Sequence, residues 1–262
     1  MASNYVNNYV PPAPKLPVLL PDPNKSYNVN FCFPVVELEA DRVKLAPFIP
    51  RIHAAALFNA IVKAPDTMRY MPFSTPATLE AFEAFCEDFF RCEPGRCLYV
   101  VLLDKTRLVP GEEMDEEKVA KVLMGTIGYI NGSRELSTAE IAFVIVFPQY
   151  QRTHVNTHAV GLLMRYALDR PSEGGLGLRR LQWQAHASNL PSPMAAERLG
   201  FKFEGIIRWQ RPLPADRETS APFRLDDTLG LPGRHTAMLA ICWDDWENGG
   251  KEHVQKLMER KA

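Results

Sequence analysis

A single α/β (α+β) domain with a mixed, mainly antiparallel sheet is what this sequence predicts, and three observations predict it. Apolar residues recur at helical spacing in two early segments and then switch to a run of short, β-rich stretches. Two of those stretches are joined by only "NGSREL" at residues 131–136, which leaves no room for the helix that a parallel connection needs. The remaining order reads helix, strand, helix, strand, strand, helix, with no internal repeat.

Residues 1–30, rich in Asn, Pro and Tyr and without periodicity, read as an extended arm, and residues 31–262 as the domain. Residues 35–48 alternate as a strand pair or a bent strand. Pro50 opens the first helix at a tolerated first-turn position. In the second, Thr75 is expected to cap, with Pro76 at N1 and Leu79, Phe82, Phe85, Cys86 and Phe89 along one face. "CLYVVLLD" (97–104) is a strand, and the charged stretch near 105–118 a loop insertion. "KVLMGTIGYI" (121–130) and "AEIAFVIVF" (139–147) are strands, and 155–169 is a helix. A strand (178–186), a short helix ending at Gly200 and a strand (201–213) follow. A second insertion, near 212–234, precedes a last strand (235–245) and a closing helix (249–260).

With 46% hydrophobic and 23% charged residues among 262, the chain can bury a sizeable core. Its formal net charge of −1 gives no basic field for nucleic acid or a membrane surface. The five cysteines (Cys32, Cys86, Cys92, Cys97, Cys242) are odd in number and form no CxxC pair, so reduced thiols are expected. The histidines form no spaced ligand cluster, and no metal is assigned. The start carries no signal-peptide pattern and no apolar run reaches membrane-helix length, so a cytoplasmic location is expected. Oligomeric state is not readable.

One stretch carries chemistry. "FPQYQRTHVNTHAV" (147–160) leads from a buried strand into a helix through a turn rich in donors but without glycine. A helix N-terminus offers unpaired N–H groups and partial positive charge, and both favour an anion. "P-Q-Y-Q-R-T-H-V-N-T" (148–157) resembles motif A of the GNAT superfamily of acyl-CoA-dependent N-acyltransferases, with His154 and Asn156 at its two glycine positions. "NLPSPMAAERLGFKFEG" (189–205) is similar to a segment of the RimJ/RimL-like branch. The resemblance implies a GNAT-like sheet, splayed at an acyl-CoA cleft, with helices on both faces. The donor it implies is acetyl-CoA, its diphosphate over Gln151, Arg152, Thr153, His154, Val155, Asn156 and Thr157. Asn156, which tolerates the left-handed region, is the expected stand-in for glycine.

The resemblance also implies that strands 140–146 and 181–186 part to admit the pantetheine arm. Backbone near Val144 and Val146 would then face the thioester, with Asn189 at the pantetheine amide or as a helix cap. Glu140 has the spacing from Gln151 of the base glutamate in histone-type members, and His186 is its rival. Ser192 stands where a thiolate would leave, or caps a helix. Position 196 holds alanine where many members carry a tyrosine acid. Tyr70, Phe73 and Trp183 are expected to line the acceptor pocket, or else to pack. Arg208 and Arg211, where some relatives carry an acid, suggest an acidic group on the substrate. The expected function is N-acetyl transfer from acetyl-CoA to a primary amine, a protein N-terminus or a small molecule, by direct attack. The alternatives are a degenerate CoA-binding or interaction protein without turnover, and a succinyl or other acyl transferase.

Overall fold

The computed structural model describes residues 6–10, 20–22, 24–103 and 116–260. Eight strands form one sheet in the order β1-β2-β3-β4-β5-β6-β8-β7. A hairpin of β1 (Leu38–Ala40) and β2 (Val43–Pro47) leads to α1 (Pro50–Lys63) and α2 (Leu79–Cys86), which runs on as a π-helical turn, Glu87–Arg91. Next come β3 (Cys97–Leu103), α3 (Glu116–Val122), β4 (Leu123–Ser133) and β5 (Thr138–Val146). The C-terminal half is α4 (His154–Leu168), β6 (Arg180–His186), α5 (Pro191–Arg198), β7 (Lys202–Pro212), β8 (Gly233–Cys242), a turn of helix α6 (Trp243–Asp245) and α7 (Lys251–Glu259). Among the described residues no helix is long and apolar enough to cross a membrane.

Every neighbouring pair is antiparallel except β5 and β6. A parallel pair cannot be closed by a hairpin, and α4 supplies the crossover. Two apolar clusters cover the two faces. One gathers Val155, Leu163 and Met164 of α4, Ala196 of α5 and Leu257 of α7. The other gathers Leu57 of α1, Phe82 of α2 and Val119 of α3. Each fully buried leucine contributes roughly 1.5–3 kcal/mol relative to an exposed one, which anchors α4 and therefore its first turn.

The site is positioned by two irregularities of β5. On β4, Gly128 pairs with Ala142 while Thr126 pairs with Ile145, so β5 carries one extra residue. Phe143 in this bulge has φ +54°, and its carbonyl accepts a hydrogen bond from Thr126 Oγ1 at 3.0 Å. Simple alternation would put Ile141 and Ile145 on one face. The bulge sends Ile141 into the α4 cluster and Ile145 into the α1 cluster. The second irregularity is a fork. Pairing of β5 with β6 runs from Thr138–Arg180 to Ile141–Trp183 and stops, while β5 continues to Val146 and β6 to His186. The strands therefore part beyond Ile141 and Trp183, a little later than the 140 and 181 that the resemblance implies.

Several expectations change. Thr78, not Thr75, caps α2, accepting from the Ala81 N–H at 3.2 Å, so Pro76 precedes the helix. Lys121 and Val122 end α3 rather than begin β4. Residues 105–115 of the first insertion lie outside the described residues. The second insertion is shorter than expected: β7 reaches Pro212, Ala221 bridges to Gly233, and β8 begins there. Residues 243–245 are helical, not strand. Of the expected arm, Tyr27 donates from its hydroxyl to the buried Glu87, which also pairs with Arg91, and Asn30 donates to the Arg91 carbonyl.

Candidate active site

The fork opens onto a cleft of about 830 Å³ including its mouth, lined by Tyr70, Glu140, Val144, Trp183, His186, Asn189 and Ser192 among others. Seven predicted residues from four separate segments thus meet in one place. Phe73 does not join them: its ring packs on Phe85, Phe89 and Phe143, 4.7–6.0 Å between centroids. Aromatic burial wins there because three phenylalanines already wall that space.

Glu140 is 3% exposed, on the last part of β5 before the strands separate. Asn131 Nδ2 and Gln184 Nε2 both donate to its Oε2, at 2.9 and 3.0 Å. Gln184 in turn accepts from Gln210 Nε2, and Gln210 accepts from Thr236 Oγ1 at 2.6 Å. The chain of donors points one way, from β8 through β7 and β6 to the carboxylate, and each link polarises the next. Burial is the stronger influence and raises the Glu140 pKa from an ordinary 4.5 to about 7. The Asn131 bond, Arg211 and Arg234 pull it the other way.

His186 is buried, and its Nδ1 accepts from the Ser188 N–H at 3.1 Å. That bond puts the ring proton of neutral imidazole on Nε2, which is buried without a well-formed hydrogen bond among the described residues. Burial and Arg234 lower its pKa, so the ring stays neutral and presents a donor. Its ring centroid lies 5.4 Å from that of Tyr70. Trp183 Nε1 donates to Ser192 Oγ at 3.0 Å, so the serine hydroxyl keeps its own proton for another acceptor.

The predicted anion site has a different construction from the expected one. Asn156 lies inside α4 and has no left-handed backbone; the residue with φ +60° is Arg152, just before the helix. The chain reverses two residues before the first glycine position of the pattern, so no glycine is needed at 154 or 156. Thr153 caps α4, accepting from the Val155 N–H at 3.3 Å while its hydroxyl donates to the Tyr150 carbonyl. Gln151 Nε2 donates to the Val146 carbonyl at 2.9 Å, tying the turn to the end of β5. The His154 ring packs edge-on against His158 one turn along, 5.4 Å away. Arg198 of α5, which sequence reasoning passed over, donates to Thr157 Oγ1 at 2.9 Å and so brings a cation to the first turn of α4. Arg234 was also missed, since it sits in a segment read as loop; Arg211 lines the cleft beside it.

No curated protein matches the sequence. Among solved structures, the fold is similar to a probable GNAT-family acetyltransferase from Chromobacterium violaceum, with TM-score 0.65 and 23% identity over 91% of this chain and 100% of that one. A GCN5-related N-acetyltransferase from Brucella melitensis has TM-score 0.64 and 24% identity, over 85% of both chains. Mycobacterium smegmatis RimJ in complex with CoA-disulfide has TM-score 0.58 and 16% identity, over 82% of this chain and 88% of that one. Residues 42–202, more than half of the chain, match the Acetyltransferase (GNAT) domain family, and that segment contains the fork, Glu140, the first turn of α4 and Ser192. The chain belongs to the GNAT acetyltransferase family.

Proposed function

We propose that this protein transfers an acetyl group from acetyl-CoA to a primary amine by direct attack. The observation that carries the reading is the buried Glu140, with a pKa of about 7, in a cleft at the fork between β5 and β6. Near neutral pH about half of such carboxyls are ionised, and the basicity of the ionised form suits proton removal from an ammonium group. Both donors to Glu140 reach Oε2, which leaves Oε1 to take the proton. The amine nitrogen then attacks the thioester carbonyl, the C–S bond breaks, and the proton that the nitrogen sheds on becoming an amide is taken up by the departing thiolate. Ser192, whose oxygen already accepts from Trp183, is oriented to donate a hydrogen bond to the sulfur. Backbone between Val144 and Val146 is unpaired with β6, and apart from the Val146 carbonyl, which Gln151 holds, it is offered on the fork side to the thioester and pantetheine groups. The diphosphate is assigned to the turn from Gln151 to Thr157, with Asn189 at the pantetheine amide.

Thermal unfolding with acetyl-CoA, CoA and adenosine diphosphate tests donor binding. Ligand at 100 times its dissociation constant stabilises the fold by about 2.7 kcal/mol, so Tm should rise by several degrees with acetyl-CoA and CoA. A shift without thiol release from any amine would favour the CoA-binding reading without turnover, and no shift at millimolar ligand would remove the donor assignment. Ser192→Ala should lower kcat about tenfold, the scale of one neutral hydrogen bond, with little change in the acetyl-CoA-induced Tm shift. An unchanged kcat would return Ser192 to a packing role beneath Trp183.

A further inference from the structure

The cleft holds more positive charge than acetyl transfer to a neutral amine requires. The register of β7 and β8 sets Arg211 directly opposite Arg234, and both side chains line the cleft. Arg234 is 6% exposed. The Nε atoms of both are buried without a hydrogen-bond partner among the described residues. Like charges opposed across two strands destabilise the pair, and a buried guanidinium is costly unless it is matched. Burial, together with Arg211, lowers the Arg234 pKa to about 10. Glu140 is the only acid among the described residues lining the cleft, and a base that carries a proton half the time at neutral pH cannot balance two guanidinium groups. His186 adds a neutral N–H donor beside them.

Two opposed guanidinium groups and an N–H donor form a receptor for an oxyanion, because guanidinium geometry matches carboxylate and phosphate oxygens in pairs. The side of the fork identifies the carrier. In the sheet, β8 and β7 lie beyond β6, whereas the turn assigned to the donor diphosphate follows β5. Both arginines also lie outside residues 42–202, the segment that matches the family.

We propose that Arg211 and Arg234 bind an oxyanion carried by the acceptor, so that the acetylated substrate is a small amine that also bears a carboxylate or phosphate. The assignment rests on the acetyl-transfer reading above. It favours a free amino acid or aminoalkyl phosphate over a peptide N-terminus, whose nearest carbonyl is an uncharged amide.

The test pairs each anionic amine with its neutral counterpart: amino acids with their amides, and phosphoethanolamine with ethanolamine. Thiol release from acetyl-CoA is followed in the full-length protein. The best anionic amine should exceed its counterpart in kcat/KM by about 10- to 100-fold, the worth of charge-assisted hydrogen bonds. Arg211→Gln and Arg234→Gln should each cut that preference by about tenfold or more, mostly through KM, with Arg234→Lys retaining part of it. Unliganded Tm should hold or rise in the Gln variants, since a buried cation is removed. Equal use of neutral amines, or a preference that survives both substitutions, overturns the proposal. An arm with succinyl-CoA identifies the source of the anion: succinyl transfer to neutral amines that depends on both arginines would move the oxyanion to the donor and overturn the acceptor assignment. Calorimetry of the CoA-saturated protein with the same amines reads the pocket without turnover. Arginine-dependent binding there supports the proposal even if acetyl transfer fails, and equal binding of both members of each pair overturns it.

Discussion

Glu140→Gln is expected to lower kcat by about 10²- to 10⁴-fold, the range a positioned general base contributes. Glutamine keeps the volume and an oxygen to accept from Asn131 and Gln184, which hold the native carboxylate at 2.9 and 3.0 Å. What it loses is the capacity to take a proton. The native enzyme should show an acid limb in kcat/KM with a midpoint near pH 7, rising with pH because the ionised carboxylate is the active form. Gln184→Leu should move that limb to higher pH, because it removes a donor that favours the charged form. A Glu140→Gln protein with wild-type kcat and an unaltered pH profile would strip Glu140 of the role.

The same carboxyl makes stability depend on pH. Its folded pKa, about 7, lies above the ordinary 4.5, so between those values the folded chain holds a proton that the unfolded chain releases. Stability from this group is present below pH 4.5 and is lost as pH rises to 7 and beyond, by about 3 kcal/mol. Glu140→Gln has no such loss. Measured by urea unfolding, the variant should gain on the native protein as pH rises from 5 to 8.

Much of this site was legible in the sequence because its parts are local. Glu140 and Gln151 lie eleven positions apart on one strand and the turn after it, and Asn189 and Ser192 share one short segment. The tight link at 131–136 and the helix between β5 and β6 are enough to place the antiparallel run and the parallel pair. Features that depend on register across distance were not legible. The facing of Arg211 and Arg234 follows from β7–β8 pairing over a connection of twenty residues, and no periodicity marks it. Nor did the pattern reveal that Arg152, rather than a residue at a glycine position, takes the left-handed backbone. Of the two readings open for Phe73, packing prevails because its partner Phe143 is turned toward it by a bulge that alternation does not foresee.

Gly125→Ala should destabilise the protein by about 3 kcal/mol or more, at or above the top of the usual range for overpacking. A Cβ at Gly125 would lie 1.9 Å from the Ile145 carbonyl oxygen and 3.1 Å from the Val146 Cα. These are backbone atoms of the paired strand, so no side-chain rotation relieves the clash. Gly125 pairs with Val146 on β5 and with Val101 on β3, so relief requires β4 to move away from the strand that borders the fork. At about 2–4 °C per kcal/mol for a chain of this size, Tm should fall by about 6 °C or more. Gly174→Ala is the matched control. Its φ of +86° disfavours alanine, yet nothing lies within 4 Å of the added Cβ, so the cost should be about 1 kcal/mol from the dihedral alone. The two variants separate close approach from backbone freedom. They also link packing to the site: the acetyl-CoA-induced Tm shift should shrink in Gly125→Ala, where residues 144–146 are displaced, and persist in Gly174→Ala. Equal losses of Tm in the two, or a full acetyl-CoA shift in Gly125→Ala, would show that β4 does not hold that edge of the cleft in place.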